Sequence, residues 1–187
     1  PLPIVAIVTC IKKQHDMSAV KVVTYQGGIG QFLATQDSKD FAQQCFVTSE
    51  PLAAKREGVE AKVFLIAESG FNPYTSVVIT RRDYLEKNRA LVTSVVKALD
   101  EGWRSYLDDP APGNAVMQKL NPSMDAATFK AAADAQKPLI ETEATKTAGL
   151  GSMTLERWTE LNDQLKALGT VKGTVNPADC FVTLRSK

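Results

Sequence analysis

The sequence predicts an α/β fold with a largely helical C-terminal half, and three observations predict it. Short runs rich in β-branched residues recur as far as Thr80. Helix-like segments, Gln31–Ala34 and Leu52–Gly58, follow two of them. From Arg81 onward no strand pattern returns. Alternating strand, helix and strand argues for a parallel sheet flanked by helices. The helical remainder carries an apolar stripe at i, i+3 and i+4 spacing.

Leu2–Ile11 reads as a buried strand and Ala19–Tyr25 as a second, since both are β-branched and the latter alternates. Gly27-Gly28-Ile29-Gly30 then breaks the pattern. A glycine turn at a helix start can cradle an anion through free amides. This one lacks the GxGxxG spacing and the P-loop lysine, so it equally reads as a tight strand-to-helix turn. Gln44–Val47 and Lys62–Ile66 are two more short strands, separated by the Ser49–Gly58 helix. Val77–Thr80 is the last.

The helical half is punctuated at Pro110, Pro112, Asn121-Pro122, Pro138, Gly149-Leu150-Gly151 and Gly169. Leu91, Val95, Leu99, Trp103 and Tyr106 predict one long amphipathic helix over about Ala90–Leu107, its stripe against the sheet and its aromatics in the core. Thr154 is a natural N-cap for the next clear helix. There Leu155, Trp158, Leu161, Leu165 and Leu168 form a packing stripe ending at Gly169.

Two polar elbows carry the candidate chemistry. Ser69-Gly70-Phe71-Asn72-Pro73-Tyr74-Thr75-Ser76 joins two apolar runs, and Pro73 restricts Asn72 before it while fixing its own φ. Phe46-Val47-Thr48-Ser49-Glu50-Pro51 leaves another apolar run and enters a helix. Ligands of open α/β sheets bind outside the carboxyl ends of the strands, where such elbows sit.

With 187 residues, 44% of them hydrophobic, the chain is long enough for a real core in one domain or two small lobes. Its 22 basic and 21 acidic residues are interspersed for a net charge of +1, and no basic block interleaves with aromatics. Nucleic acid is therefore excluded as a partner. The longest apolar run, Ile4–Val8, falls far short of the roughly 20 residues that cross a bilayer. No succession of basic, apolar and small residues marks a signal peptide.

Cys10, Cys45 and Cys180 are odd in number and widely spaced, which fits neither a disulfide framework nor a CxxC metal site. They read as free, small hydrophobes, although one disulfide remains open. His15, the single histidine, lies in a charged loop with no nucleophile or orienting partner nearby. The sequence thus predicts no catalytic residue, no metal site and no cofactor.

The run from Val22 to Pro110 carries TYQGGIGQFLA, QQCFVTSEPLAAKREGV, KVFLIAESGFNPYTSVVIT and a helix ending in KALDEGWRSYLDDP. It resembles the solute-binding proteins of ABC importers for nitrate, sulfonates, taurine and thiamine or riboflavin precursors. LNPSMD and GSMTLERWTELNDQLKALG resemble the helical tail of the same group. The resemblance covers nearly the whole chain. It implies a type II periplasmic-binding fold, present in partial or truncated form: residues 1–16 as a crossover strand and loop of the first lobe, 17–66 as the smaller α/β lobe, and 67–187 as the crossover and helical part of the first lobe.

The same resemblance implies a ligand site. Thr48, Ser49 and Glu50 would line a cleft from one lobe, Asn72, Tyr74 and Thr75 would sit at the hinge, and Tyr25, Gln26 and the turn around Gly28 would face the same cleft. Such a set suits a flat polar heterocycle, with a ring on Tyr74 or Tyr25 and an N–H on Glu50. It suits a bare anion less well, because the arginines near the elbows in sequence are only Arg56, Arg81 and Arg82. The implied role is non-catalytic capture of a small heterocyclic, carboxylate or sulfonate ligand for ABC permease subunits, at a periplasmic or membrane-anchored extracytoplasmic location. A pyrimidine-precursor synthase of the same fold and a ligand-sensing domain are the alternatives.

Pieces expected ahead of Pro1, and between Ile11 and Ala19, are missing relative to that group. The chain is therefore expected to be a fragment or a natural deletion, with an incomplete lobe open to dimerisation.

Overall fold

The computed structural model describes residues 11–12 and 15–184. Among the described residues beyond 11–12, eight α-helices follow one another: α1 (Gly30–Ala34), α2 (Glu50–Arg56), α3 (Arg82–Lys87), α4 (Arg89–Asp108), α5 (Ala111–Leu120), α6 (Ala126–Ile140), α7 (Glu143–Ala148) and α8 (Leu155–Ala167). Short 3-10 turns occupy Ile66–Ser69 and Pro177–Asp179.

The expected α/β sheet is not there: among the described residues no strand occurs. The predicted strands at Ala19–Tyr25, Gln44–Val47, Lys62–Ile66 and Val77–Thr80 run as chain without a ladder, and Ile66 opens a 3-10 turn instead. The Leu2–Ile11 prediction falls almost wholly outside the described residues, and Ile11 itself is helical. Local β-propensity expresses itself only through pairing and burial on a pleated surface, and no partner strand lies beside these segments. Their apolar side chains stay in water, Val22 at 79%, Phe64 at 72% and Ile79 at 85% exposure.

The chain divides into two units. One comprises Val23–Val63 and Lys97–Gly151. Here α6 packs against α2 and α5, around the buried Ala54, Leu107 and Ala133. Asp125 caps α6 by accepting the Thr128 N–H at 2.7 Å, and Arg56 of α2 reaches the Thr128 hydroxyl and pairs with Asp125 at 3.8 Å. Lys137 of α6 donates to the Leu107 carbonyl at 2.6 Å, which ties α6 to the end of α4. Pro138 does not break α6 as the sequence suggests, because it falls in the last turn, where few backbone bonds remain to lose. Pro112 lies in the first turn of α5, where its missing N–H costs nothing.

The other unit comprises Pro1–Val22, Phe64–Val96 and Ser152–Lys187. In it α8 packs against the Pro177–Asp179 turn, and Phe71 and Asn162 are buried. Thr154 caps α8 as expected, accepting the Arg157 N–H at 3.3 Å. The helix ends at Gly169, whose φ of +70° is the left-handed conformation glycine tolerates.

The long helix α4 matches its expected span within a residue at either end. Its stripe, however, has no sheet to cover: Leu91, Val95, Leu99 and Trp103 are all exposed, Trp103 at 43%. Trp103 is not the core residue that the pattern suggests. It packs edge-on to Tyr106 at 5.9 Å between ring centres.

Candidate functional site

Six of the nine candidate residues belong to the unit containing Val23–Val63. Glu50 opens α2, and Pro51 after it presets the first helical turn. Its carboxylate accepts the Phe46 N–H at 2.9 Å and the Tyr25 hydroxyl at 3.4 Å. One acid thus joins the end of the 41–46 segment to a tyrosine 25 residues upstream. Thr48 and Ser49 form the bend between them, and Ser49 is the N-cap of α2 without a side-chain capping bond.

Gly28, with φ of +62°, turns the chain toward α1, and its carbonyl accepts from Gln43 Nε2 at 2.9 Å. Gln43 Oε1 is buried without a hydrogen-bond partner among the described residues. Gln26 is exposed and bonds only weakly, to the Thr24 carbonyl at 3.5 Å. Burial, and secondarily the Glu50 carboxylate, push the Cys45 thiol above its ordinary pKa. The charged form loses hydration and meets a like charge.

The remaining three candidates, Asn72, Tyr74 and Thr75, lie in the unit containing α8. Arg157, on the first turn of α8, closes on this elbow. Its Nε donates to the Asn72 carbonyl at 2.8 Å, and one terminal nitrogen donates to Asn72 Oδ1 at 2.8 Å and to the Pro73 carbonyl at 3.2 Å. The guanidinium carbon lies 4.2 Å from the centre of the Tyr74 ring, a cation–π contact. The Tyr74 hydroxyl accepts the Thr154 N–H at 3.0 Å. Its ring is 5.6 Å from Trp158, which stacks on Phe181 at 6.2 Å. Trp158 is therefore a packing residue, and its indole Nε1 is buried without a hydrogen-bond partner among the described residues.

Arg157 and Gln43 are the contributors that sequence reasoning missed. Arg157 lies 85 residues from Asn72 and reads locally as one polar position in a helical stripe. The three arginines near the elbows in sequence go elsewhere: Arg56 to Thr128 and Asp125, Arg81 to Asp83 at 2.9 Å, and Arg82 to the Asp179 carbonyl at 3.4 Å.

An open groove of about 690 Å³ on α8, lined by Leu155, Glu156, Thr159, Glu160, Asp163 and Gln164, includes none of the nine candidates. Its three carboxylates form a solvated helix face. Among the described residues, no group of three or more His, Cys, Asp or Glu is assembled for a metal ion, and no helix is long and apolar enough to cross a membrane.

A family profile described as NMT1/THI5 like matches residues 5–112, more than half of the chain, and spans both elbows. The chain belongs to the NMT1/THI5-like family. This is the group of binding proteins for nitrate, sulfonates, taurine and thiamine precursors, so membership carries a solute-binding role in a general sense. The periplasmic-binding fold associated with the family is not what the described residues adopt, since they contain no sheet. No curated protein and no solved structure matches the chain.

Proposed function

We propose that this NMT1/THI5-like chain is a non-catalytic binding protein that captures a small organic solute outside the cytoplasm and passes it to the permease subunits of an ABC importer. The observation that carries the reading is the Glu50 carboxylate, held by the Phe46 amide and the Tyr25 hydroxyl. An acceptor fixed before the ligand arrives loses little entropy on binding, and preorganisation of this kind raises affinity. In this reading Glu50 accepts an N–H from a flat heterocycle and Tyr25 offers its ring, while Thr48, Ser49, Gln26 and the Gly28 turn supply the polar surround. Asn72, Tyr74 and Thr75 form a second contact group on their own unit.

A thermal-shift screen with pyrimidines, flavins, sulfonates, nitrate and aromatic carboxylates tests it. One class is expected to raise the melting temperature, and Glu50→Ala to abolish that shift while leaving the unliganded melting temperature within a few degrees. A charge-assisted hydrogen bond to ligand is worth about 1.5–3 kcal/mol, or roughly a 10- to 150-fold loss of affinity. No stabilisation by any class, or full stabilisation of Glu50→Ala, overturns the assignment.

A further inference from the structure

The helix α4 carries a row of large apolar side chains that its own fold leaves in water. Leu91, Val95, Leu99 and Trp103 recur every four residues and are 54, 47, 42 and 43% exposed. The helix is anchored by the buried Leu107 near its C-terminal end and not by this row. At 3.6 residues per turn the four side chains fall within an arc of about 120°. The charged residues of the helix, Arg89, Lys97, Asp100, Glu101, Arg104 and Asp108, all lie outside that arc. Four of them are spent on one another, Lys97 with Glu101 at 3.7 Å and Arg104 with Asp100 at 3.1 Å. The row is therefore an uncharged face.

An i, i+4 ridge of this kind interdigitates with the same ridge of another helix, at a crossing angle of about 50°. The order of charges along α4 indicates which helix that is. Residues 89–98 carry two positive charges, Arg89 and Lys97, and no negative one. Residues 99–108 carry three negative charges, Asp100, Glu101 and Asp108, against the one positive charge of Arg104. A second copy laid antiparallel sets each basic half beside an acidic half and opposes the two helix dipoles. A parallel copy would set like beside like at both ends. The six charges cancel over the whole helix, so the face has no attraction for an anionic lipid surface or for nucleic acid. The row is also symmetric about residue 97, as a two-fold interface requires.

We propose that α4 is a homodimerisation surface, which pairs antiparallel with α4 of a second copy of this chain through Leu91, Val95, Leu99 and Trp103. A two-fold axis beside residue 97 sets Val95 against the partner's Leu99 and Leu91 against the partner's Trp103. The proposal is independent of the solute-binding reading. A single pair of helices lies at the small end of interfaces, below about 1,200 Å² in total, so the dimer is weak and forms in the micromolar range.

Sedimentation equilibrium of the full chain across micromolar concentrations tests it. The mass is expected to rise with concentration from the 20.3 kDa of one chain toward twice that value. Leu99→Lys puts a charge in the centre of the row and should hold the mass at that of one chain, with the helical circular dichroism of the wild type. Ile79→Lys changes an exposed apolar side chain away from α4 and should leave the dimer intact. Orientation is read by disulfide cross-linking of chains in which Cys10, Cys45 and Cys180 are replaced by serine. Mixed Val95→Cys and Leu99→Cys chains should cross-link to each other faster than either does to itself.

A wild type that stays monomeric, a dimer that survives Leu99→Lys, or preferential 95–95 and 99–99 cross-links overturns the proposal. So does a dimer lost in Ile79→Lys, which would assign the association to the unpaired segments instead.

Discussion

Cys45 senses Glu50, and the sign of that coupling is testable at the level of single residues. Burial raises the thiol's pKa first and the carboxylate's charge raises it further, so the reactive thiolate is scarce near neutrality. Glu50→Gln removes the charge and leaves the burial. Alkylation of Cys45 by iodoacetamide at about pH 8 should therefore be faster in Glu50→Gln than in the wild type, with exposed Cys180 unchanged as the internal standard. Equal Cys45 rates would mean that the two groups do not interact. Glu50 and Asn72 stand out as candidates in the sequence because elbows after apolar runs announce themselves by proline, aromatics and short polar side chains, whereas Tyr25 enters only through the family resemblance. Arg157 does not stand out, because nothing in its neighbourhood along the chain records a contact made 85 residues away.

Helix ends and helix contacts set the next level. Asp125 caps α6, and its carboxyl is held below the usual range by the Thr128 hydroxyl and amide, with Arg56 a smaller cause. A folded-state pKa below the unfolded one gives stability that is complete above the unfolded value and is lost as pH falls through the folded value. Asp125→Ala should thus lower the melting temperature at about pH 7, and the gap to wild type should close toward about pH 2.5. A gap that persists in acid would assign the effect to something other than the charged cap.

Two glycines in neighbouring helices make an opposite pair. A Cβ on Gly113 of α5 would meet the Tyr106 ring at 2.9 and 3.2 Å, whereas one on Gly102 of α4 would meet nothing within 4 Å. Tyr106 cannot easily yield, because its hydroxyl bonds Asn114 at 2.8 Å and its ring abuts Trp103. Gly102→Ala should stabilise by about 0.5–1 kcal/mol through helix propensity alone. Gly113→Ala should instead destabilise, since overpacking costs about 1–3 kcal/mol against a propensity gain of about 1. Denaturation midpoints of the two variants check both signs. Helices with full amphipathic repeats and caps, α4 and α8, were legible because their signals are local. The strand segments misled because a strand is completed only by its neighbour.

Across the whole molecule the consequence of unpaired segments is exposed apolar surface. Phe46, Phe64, Val22 and Ile79 are all at least 70% exposed, and none of the four lies on a helix. Runs of β-branched residues without a ladder are templates for further pairing. The chain is expected to show a helix-dominated far-ultraviolet circular dichroism spectrum and to bind the apolar dye ANS. Ile79→Lys should reduce the dye signal without altering the helical spectrum. A strong sheet contribution in the wild-type spectrum, or no dye binding, would contradict this surface.

The two tryptophans fall one to each unit. Trp103 stands half in water on α4, and Trp158 lies between Tyr74 and Phe181 with its indole nitrogen shielded. Replacing Trp103 by Phe therefore leaves a single emitter 5.6 Å from Tyr74, so the unlabelled chain contains its own optical gauge of the elbow, and Trp158→Phe leaves the matching gauge of the other unit.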